Sequence, residues 1–108
     1  DARLKANIIS LGATLSKLLQ IDAKTYVMKK DDSKKLKIGV LAQEIETVFP
    51  ELVTESNNIK SVNYQGLVPV LINAIKEQNQ TIESQHDTIE SLEQRLQKLE
   101  AILLAKPN

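Results

Sequence analysis

The sequence has no cysteine and only three aromatic residues, Tyr26, Phe49 and Tyr64. Without cysteine no disulfide can brace the fold, and the chain suits a reducing or an oxidising compartment alike. Aromatic side chains bury the largest areas. So few of them exclude a thick core, and small domains of this kind lean on partners. His86 is the single histidine, so no zinc-type ligand cluster is available and neither metal nor cofactor is expected. The 14 basic and 14 acidic side chains cancel. That removes any overall field steering the protein towards nucleic acid or an anionic membrane. No apolar run of about 18 residues occurs, so no membrane-spanning helix is expected. No signal peptide, phosphate loop or dinucleotide fingerprint is recognisable. The chain opens on Asp1 and not on Met, and the expectation is a piece of a longer protein.

What is present is a heptad repeat. One series of apolar positions runs Val68, Ile75, Ile82, Ile89, Leu96 and Leu103; the other runs Leu71, Gln78, Gln85, Leu92 and Leu99. Alternating steps of three and four keep such a stripe facing a partner helix along a left-handed supercoil. Neither Gly nor Pro interrupts the stretch from Val70 to Lys106, and Pro107 is the expected stop. A helix of about 40 residues would extend roughly 60 Å. Alone it would leave its stripe wet, so a parallel coiled-coil stem is expected. Gln78 and Gln85 interrupt the seam; such polar layers weaken it but can select register and strand number. The seam itself leaves two or three strands open. Arg95 and Glu100 are spaced for contact between neighbouring parallel helices, and His86 falls on a solvated flank.

Upstream the pattern is mixed. Leu4, Ile8, Leu11, Leu15 and Leu18 recur at helical spacing, which predicts a helix over residues 6–20. Residues 21–28 and 36–38 read as strands around the charged loop KKDDSKK, a solvated hairpin tip, with a phosphate site in its lysines as the alternative. Residues 40–49 read as a helix stopped by Pro50, with Leu41, Ile45 and Val48 on one face. Residues 52–54 and 59–64 read as a second hairpin, after which Asn63 caps the long helix and Pro69 falls near its first turn. The expected architecture is α+β: a small helix and hairpin head over residues 1–66, then a stem over 67–108. A zipper-type DNA-binding protein is disfavoured, because residues 60–74 carry Lys60 as their only charge and include Gly66 and Pro69.

Three blocks in order, DARLKANI at the start, IGVLAQEIETVFPELV over 38–53 and SVNYQGLVPVLINAIKEQ over 61–78, resemble the intramolecular chaperone auto-processing domain, the peptidase S74 family. That family stands at the C-termini of phage tailspikes and tail fibres, including endosialidases; related domains occur in bacterial fibre proteins and in a membrane-bound animal transcription factor. The resemblance implies a homotrimer, with the long helices as a parallel trimeric coiled coil. It implies a chaperone that aligns an upstream fibre or tailspike of its own precursor, with no nucleic acid and no membrane as partner. It also implies synthesis in the bacterial cytoplasm, a mature fibre on a virion or cell surface, and release of the C-terminal fragment. Some relatives respond to ATP, but with no phosphate loop here no nucleotide is assigned.

Release in this family resembles a Ser–Lys self-cleavage. The family's serine lies immediately before a stretch that Asp1, Arg3 and Lys5 match, and the cut follows that serine. The expectation is therefore a released product beginning at Asp1, with a recombinant start at the same place as the competing one. A serine hydroxyl needs a base, and a lysine serves only when burial or a nearby positive charge lowers its pKa. Lys5 is the implied base and Arg3 the candidate neighbour, unless Arg3 pairs with a carboxylate. Gln43 is a candidate donor near the scissile carbonyl, with capping or packing as its alternative. A strained internal attack, help from a neighbouring protomer and activated water all remain open as routes. The competing function is a permanent trimerisation module that never cuts.

Overall fold

The computed structural model describes residues 1–105. The chain divides into two compact units, Asp1–Ile75 and the remainder from Lys76 onward. In order, the elements are a 3-10 turn Ala2–Leu4, α1 Leu15–Leu18, β1 Lys24–Tyr26, β2 Lys37–Gly39, α2 Ala42–Val48, a 3-10 turn Pro50–Leu52, β3 Val53–Ser56, β4 Ile59–Val62 and α3 Tyr64–Ala105. This is an α+β head of two hairpins and short helices, followed by one long helix.

Both hairpins are antiparallel, with Thr25 opposite Ile38 and Thr54 opposite Ser61. The tight turn between β3 and β4 puts Asn57 and Asn58 at φ 52° and 64°. Two-residue hairpins demand left-handed backbone at both central positions, and asparagine tolerates it. Across this hairpin the Thr54 and Ser61 hydroxyls pair at 3.0 Å. The tip of the first hairpin is exposed and polar, as expected: Asp31 Oδ1 accepts from the Ser33 amide at 3.0 Å and the Ser33 hydroxyl at 2.6 Å.

The core is small. Ile45 of α2 is fully buried, Phe49, Leu52 and Val70 complete the buried cluster, and Leu18, Val48, Val62 and Leu67 pack around it. Helix α2 ends where Phe49 leaves helical geometry and Pro50 opens the next turn, proline's fixed φ suiting a first position. The amino group of Lys17 lies 5.6 Å from the Phe49 ring centroid, so α1 covers the ring with a cation as well as with Leu18.

Helix α3 begins as its cap predicts: the Gly66 amide donates to Asn63 Oδ1 at 3.2 Å. Pro69 lies inside the helix, in its second turn, where its missing N–H leaves the Gln65 carbonyl without its usual partner. The expected stop at Pro107 lies outside the described residues. Within Asp1–Ile75 the helix carries two apolar faces. Leu67, Val70 and Ala74 face the head; Val68, Leu71, Ile72 and Ile75 are roughly half exposed, about a third of a turn away. Space at Gly66 is tight: a Cβ there would overlap Leu52 Cδ2, the end of a side chain that would have to turn aside. Gly66→Ala is expected to cost about 1–3 kcal/mol, read as a lowered urea midpoint with an unchanged m-value.

The helix expected over residues 6–20 is corrected. Only Leu15–Leu18 is helical, and Asn7 and Gly12 take φ of 55° and 76°. Leu4, Ile8 and Leu11, expected on one helical face, are 88, 70 and 54% exposed. Helical spacing was present, but Ile8, Ile9, Ser10 and Gly12 are poor helix formers, and this part of the face meets no core. What secures the segment is Thr14, 2% exposed. Its hydroxyl donates to the Val70 carbonyl at 3.0 Å and accepts from Asn73 Nδ2 at 3.1 Å, while Asn73 Nδ2 also donates to the Gly12 carbonyl.

Candidate functional site

Four residues carry the chemical expectations, and three lie at the N-terminus. Asp1 caps the 3-10 turn, accepting from the Arg3 amide at 2.9 Å. Its carboxylate also holds the Arg3 guanidinium, with Nη2 2.6 Å and Nε 3.1 Å from Oδ2. Arg3 thus takes the carboxylate-paired role that stood as its alternative. The pair is open to water, the Arg3 side chain being 89% exposed, so it orients the turn more than it stabilises the fold. Lys5 closes the turn, donating its amide to the Ala2 carbonyl at 3.1 Å from an extended backbone, and is exposed.

Gln43 lies elsewhere, in the first turn of α2. There it lines a pocket of about 370 Å³ with Tyr26, Val40, Lys60, Ser61 and Tyr64. Asp1, Arg3 and Lys5 are not among the residues lining it. Two of the three aromatics meet here for a steric reason. Gly39 has no side chain, and a Cβ would stand 2.9 Å from the Tyr64 hydroxyl and 3.1 Å from Tyr26 Cε1. The Tyr64 hydroxyl accepts from the Val40 amide at 3.3 Å, tying the start of α3 to the end of β2. Sequence reasoning gave Tyr26, Lys60 and Tyr64 no place in a site. The available signal was a glycine, Gly39 in IGV, in a chain with so few aromatics.

Two lysines fasten the head electrostatically. Lys60 Nζ sits 2.6 Å from Glu46 Oε1, linking β4 to α2. Lys24 Nζ lies 3.2 Å from Asp22 Oδ2 and 3.3 Å from Glu44 Oε1, linking β1 to α2. The hydrogen bond to Glu46 raises the Lys60 pKa above 10.5, and the bond to Asp22, helped by Glu44, does the same for Lys24, each outweighing partial desolvation. A raised folded-state pKa stabilises the fold below the unfolded value, and that support is lost as pH climbs through the raised one. Through these lysines the unfolding temperature is therefore expected not to vary with pH from neutrality to about pH 10 and to fall above it. In Lys60→Met the fall should be shallower, as followed by circular dichroism.

Along α3 the seam positions Val68, Leu71, Ile75, Ile82, Ile89, Leu92, Leu96, Leu99 and Leu103 are 48–71% exposed. Gln78 and Gln85 are exposed among them. His86 Nε2 lies 3.1 Å from Glu90 Oε1 on the helix surface, in keeping with a solvated flank. No helix among the described residues is long and apolar enough to cross a membrane.

The family model described as peptidase S74, chaperone of endosialidase, matches residues 1–54, half of the chain's 108 residues. The match takes in the N-terminal turn, the first hairpin, α2 and the opening of β3. No curated protein matches the chain.

Proposed function

The chain belongs to the peptidase S74, chaperone of endosialidase, family, and on that premise we propose that it is a C-terminal intramolecular chaperone that trimerises an upstream fibre or tailspike and is then released. The observation that carries the reading is the family match, which covers both the Asp1–Arg3–Lys5 turn and the α2 block. The wet seam of α3 supports the oligomer. A helix gains most of its stability from packing, and here a row of leucines and isoleucines meets water along a single chain.

Physical logic supports the order of events. Slender fibres register slowly, because non-local β pairing carries its entropy cost before any contact rewards it. A coiled coil has local contacts and forms fast. Once three chains are tied at one end, later encounters are intramolecular, at high effective concentration. Cutting the chaperone away then leaves the fibre kinetically locked. On this reading Lys5 takes the proton of a serine placed immediately before Asp1. On this reading assembly takes place in the bacterial cytoplasm and the finished fibre serves on a virion or cell surface.

A permanent trimerisation module is the second reading. It is favoured by one observation: Arg3 is engaged by Asp1, so in a single chain the positive charge beside Lys5 is already neutralised. Two measurements decide. Light scattering on the chain should give three times its 12.1 kDa; a monomer defeats both readings. A precursor extended upstream through a serine before Asp1 should yield, on a denaturing gel, a small fragment whose mass begins at Asp1. An intact precursor that still trimerises would leave the permanent module.

A further inference from the structure

The head holds a second cavity, of about 330 Å³, whose walls are apolar: Leu18, Ile21, Ala23, Leu67 and Leu71 surround Ile45. None of its lining residues comes from residues 1–13. Those residues form an arm with its own apolar side chains in water, Ile8 at 70%, Ile9 at 83% and Leu11 at 54% exposure. No charged residue falls between Lys5 and Lys17, so the arm matches an uncharged groove. Groove and arm are each incomplete alone.

We propose that the arm of one protomer, through Ile8, Ile9 and Leu11, fills the apolar groove of the neighbouring copy, so that the heads interlock around the helices. This deepens the oligomeric reading above and rests on it. Three features point to a second copy as the occupant. Leu71 is at once a groove wall and a seam position, and Leu67, a groove wall packed on the head's own core, falls on the flank next to that seam. A copy packed on the seam therefore stands at the groove's mouth. Height agrees as well: the arm is pinned at Gly12 and Thr14 to Asn73 and Val70, while the groove lies at Leu67 and Leu71. In-register parallel helices bring those levels side by side. Reach suffices too. Ile9 is five residues upstream of Thr14 and can extend up to roughly 17 Å from it, whereas packed helices stand about 8–10 Å apart.

Absence of native cysteine makes the test clean. The full chain carrying Ile9→Cys and Ala23→Cys is oxidised at micromolar concentration and run on a non-reducing denaturing gel. The expected result is a ladder ending in a covalently closed trimer, with linkage roughly tenfold or more above that of Ile9→Cys paired with the exposed Glu51→Cys. A monomer closed by an internal disulfide would overturn the proposal, since the arm would then fill its own groove. Linkage no greater than the Glu51 control would also overturn it, and a seam variant, Leu92→Cys, tells the two failures apart. If Leu92→Cys still links chains, the oligomer stands and the arm exchange falls; if it does not, both fall. Ile8→Cys with Leu18→Cys provides an independent pair, and each reduced variant must keep the wild-type helical spectrum.

Discussion

A precursor carrying Lys5→Ala is expected to assemble normally and stay uncut, with the rate of fragment release lowered by roughly 10²–10⁴, the usual worth of a positioned base. The structure makes this separation of roles possible. Lys5 is exposed at the end of a surface turn and contributes nothing to the buried cluster of Ile45, Phe49, Leu52 and Val70. Its removal therefore leaves the core and the seam as they were. Lys5→Arg sharpens the result. Arginine keeps the positive charge and cannot be deprotonated in proteins, so it too should be uncut if Lys5 is a base. Rescue by arginine would mean that charge alone is needed, and normal cleavage of Lys5→Ala would remove Lys5 from the reaction. Asp1 holds Arg3 at 2.6 Å in the single chain, and Asp1→Asn would free the Arg3 charge while leaving the Lys5 side chain in place.

The double variant Ile82→Asp and Ile89→Asp is expected to convert the protein to a monomer of 12.1 kDa by light scattering. In a single chain these side chains are 60 and 53% exposed, so the substitutions cost the isolated head nothing. In a bundle each replaced layer would bring carboxylates together in a dry seam. Desolvating an ion costs several kcal/mol even after relaxation, and about 1.4 kcal/mol is a tenfold change in affinity. Two such layers exceed what an assembly at micromolar concentration tolerates. Retention of the wild-type mass would place the interface elsewhere. A control at Gln94, exposed and away from the seam, should leave the oligomer intact when changed to Asp.

How much of this was legible beforehand varied with the physics behind each element. The long helix was read correctly because its signal is redundant: many residues in one period, an Asn63 cap, no Gly or Pro between Val70 and Lys106. The two hairpins and α2 were read to within a few residues, since Asn57–Asn58 and Pro50 terminate elements by local backbone preference. The helix over 6–20 failed because periodicity there mixed two populations. Leu15 and Leu18 belong to a short helix, and only Leu18 reaches the core; Leu4, Ile8 and Leu11 belong to an arm that meets no core in its own chain. A pattern count cannot tell a face that packs from one that waits for a partner.

The site divides the same way. Asp1, Arg3 and Lys5 were found by resemblance, because they are adjacent in the chain, and their proximity needs no fold. The meeting of Tyr26, Gln43, Lys60 and Tyr64 around one pocket, and of Gly12, Thr14, Val70 and Asn73, joins residues far apart in sequence. By itself the sequence determined the family, the element order and the heptad seam, all of which rest on local spacing and backbone preference. Only the tertiary structure decided which apolar faces were spent on the core and which were left in water, because that depends on the space each side chain finds once α2 and α3 have packed.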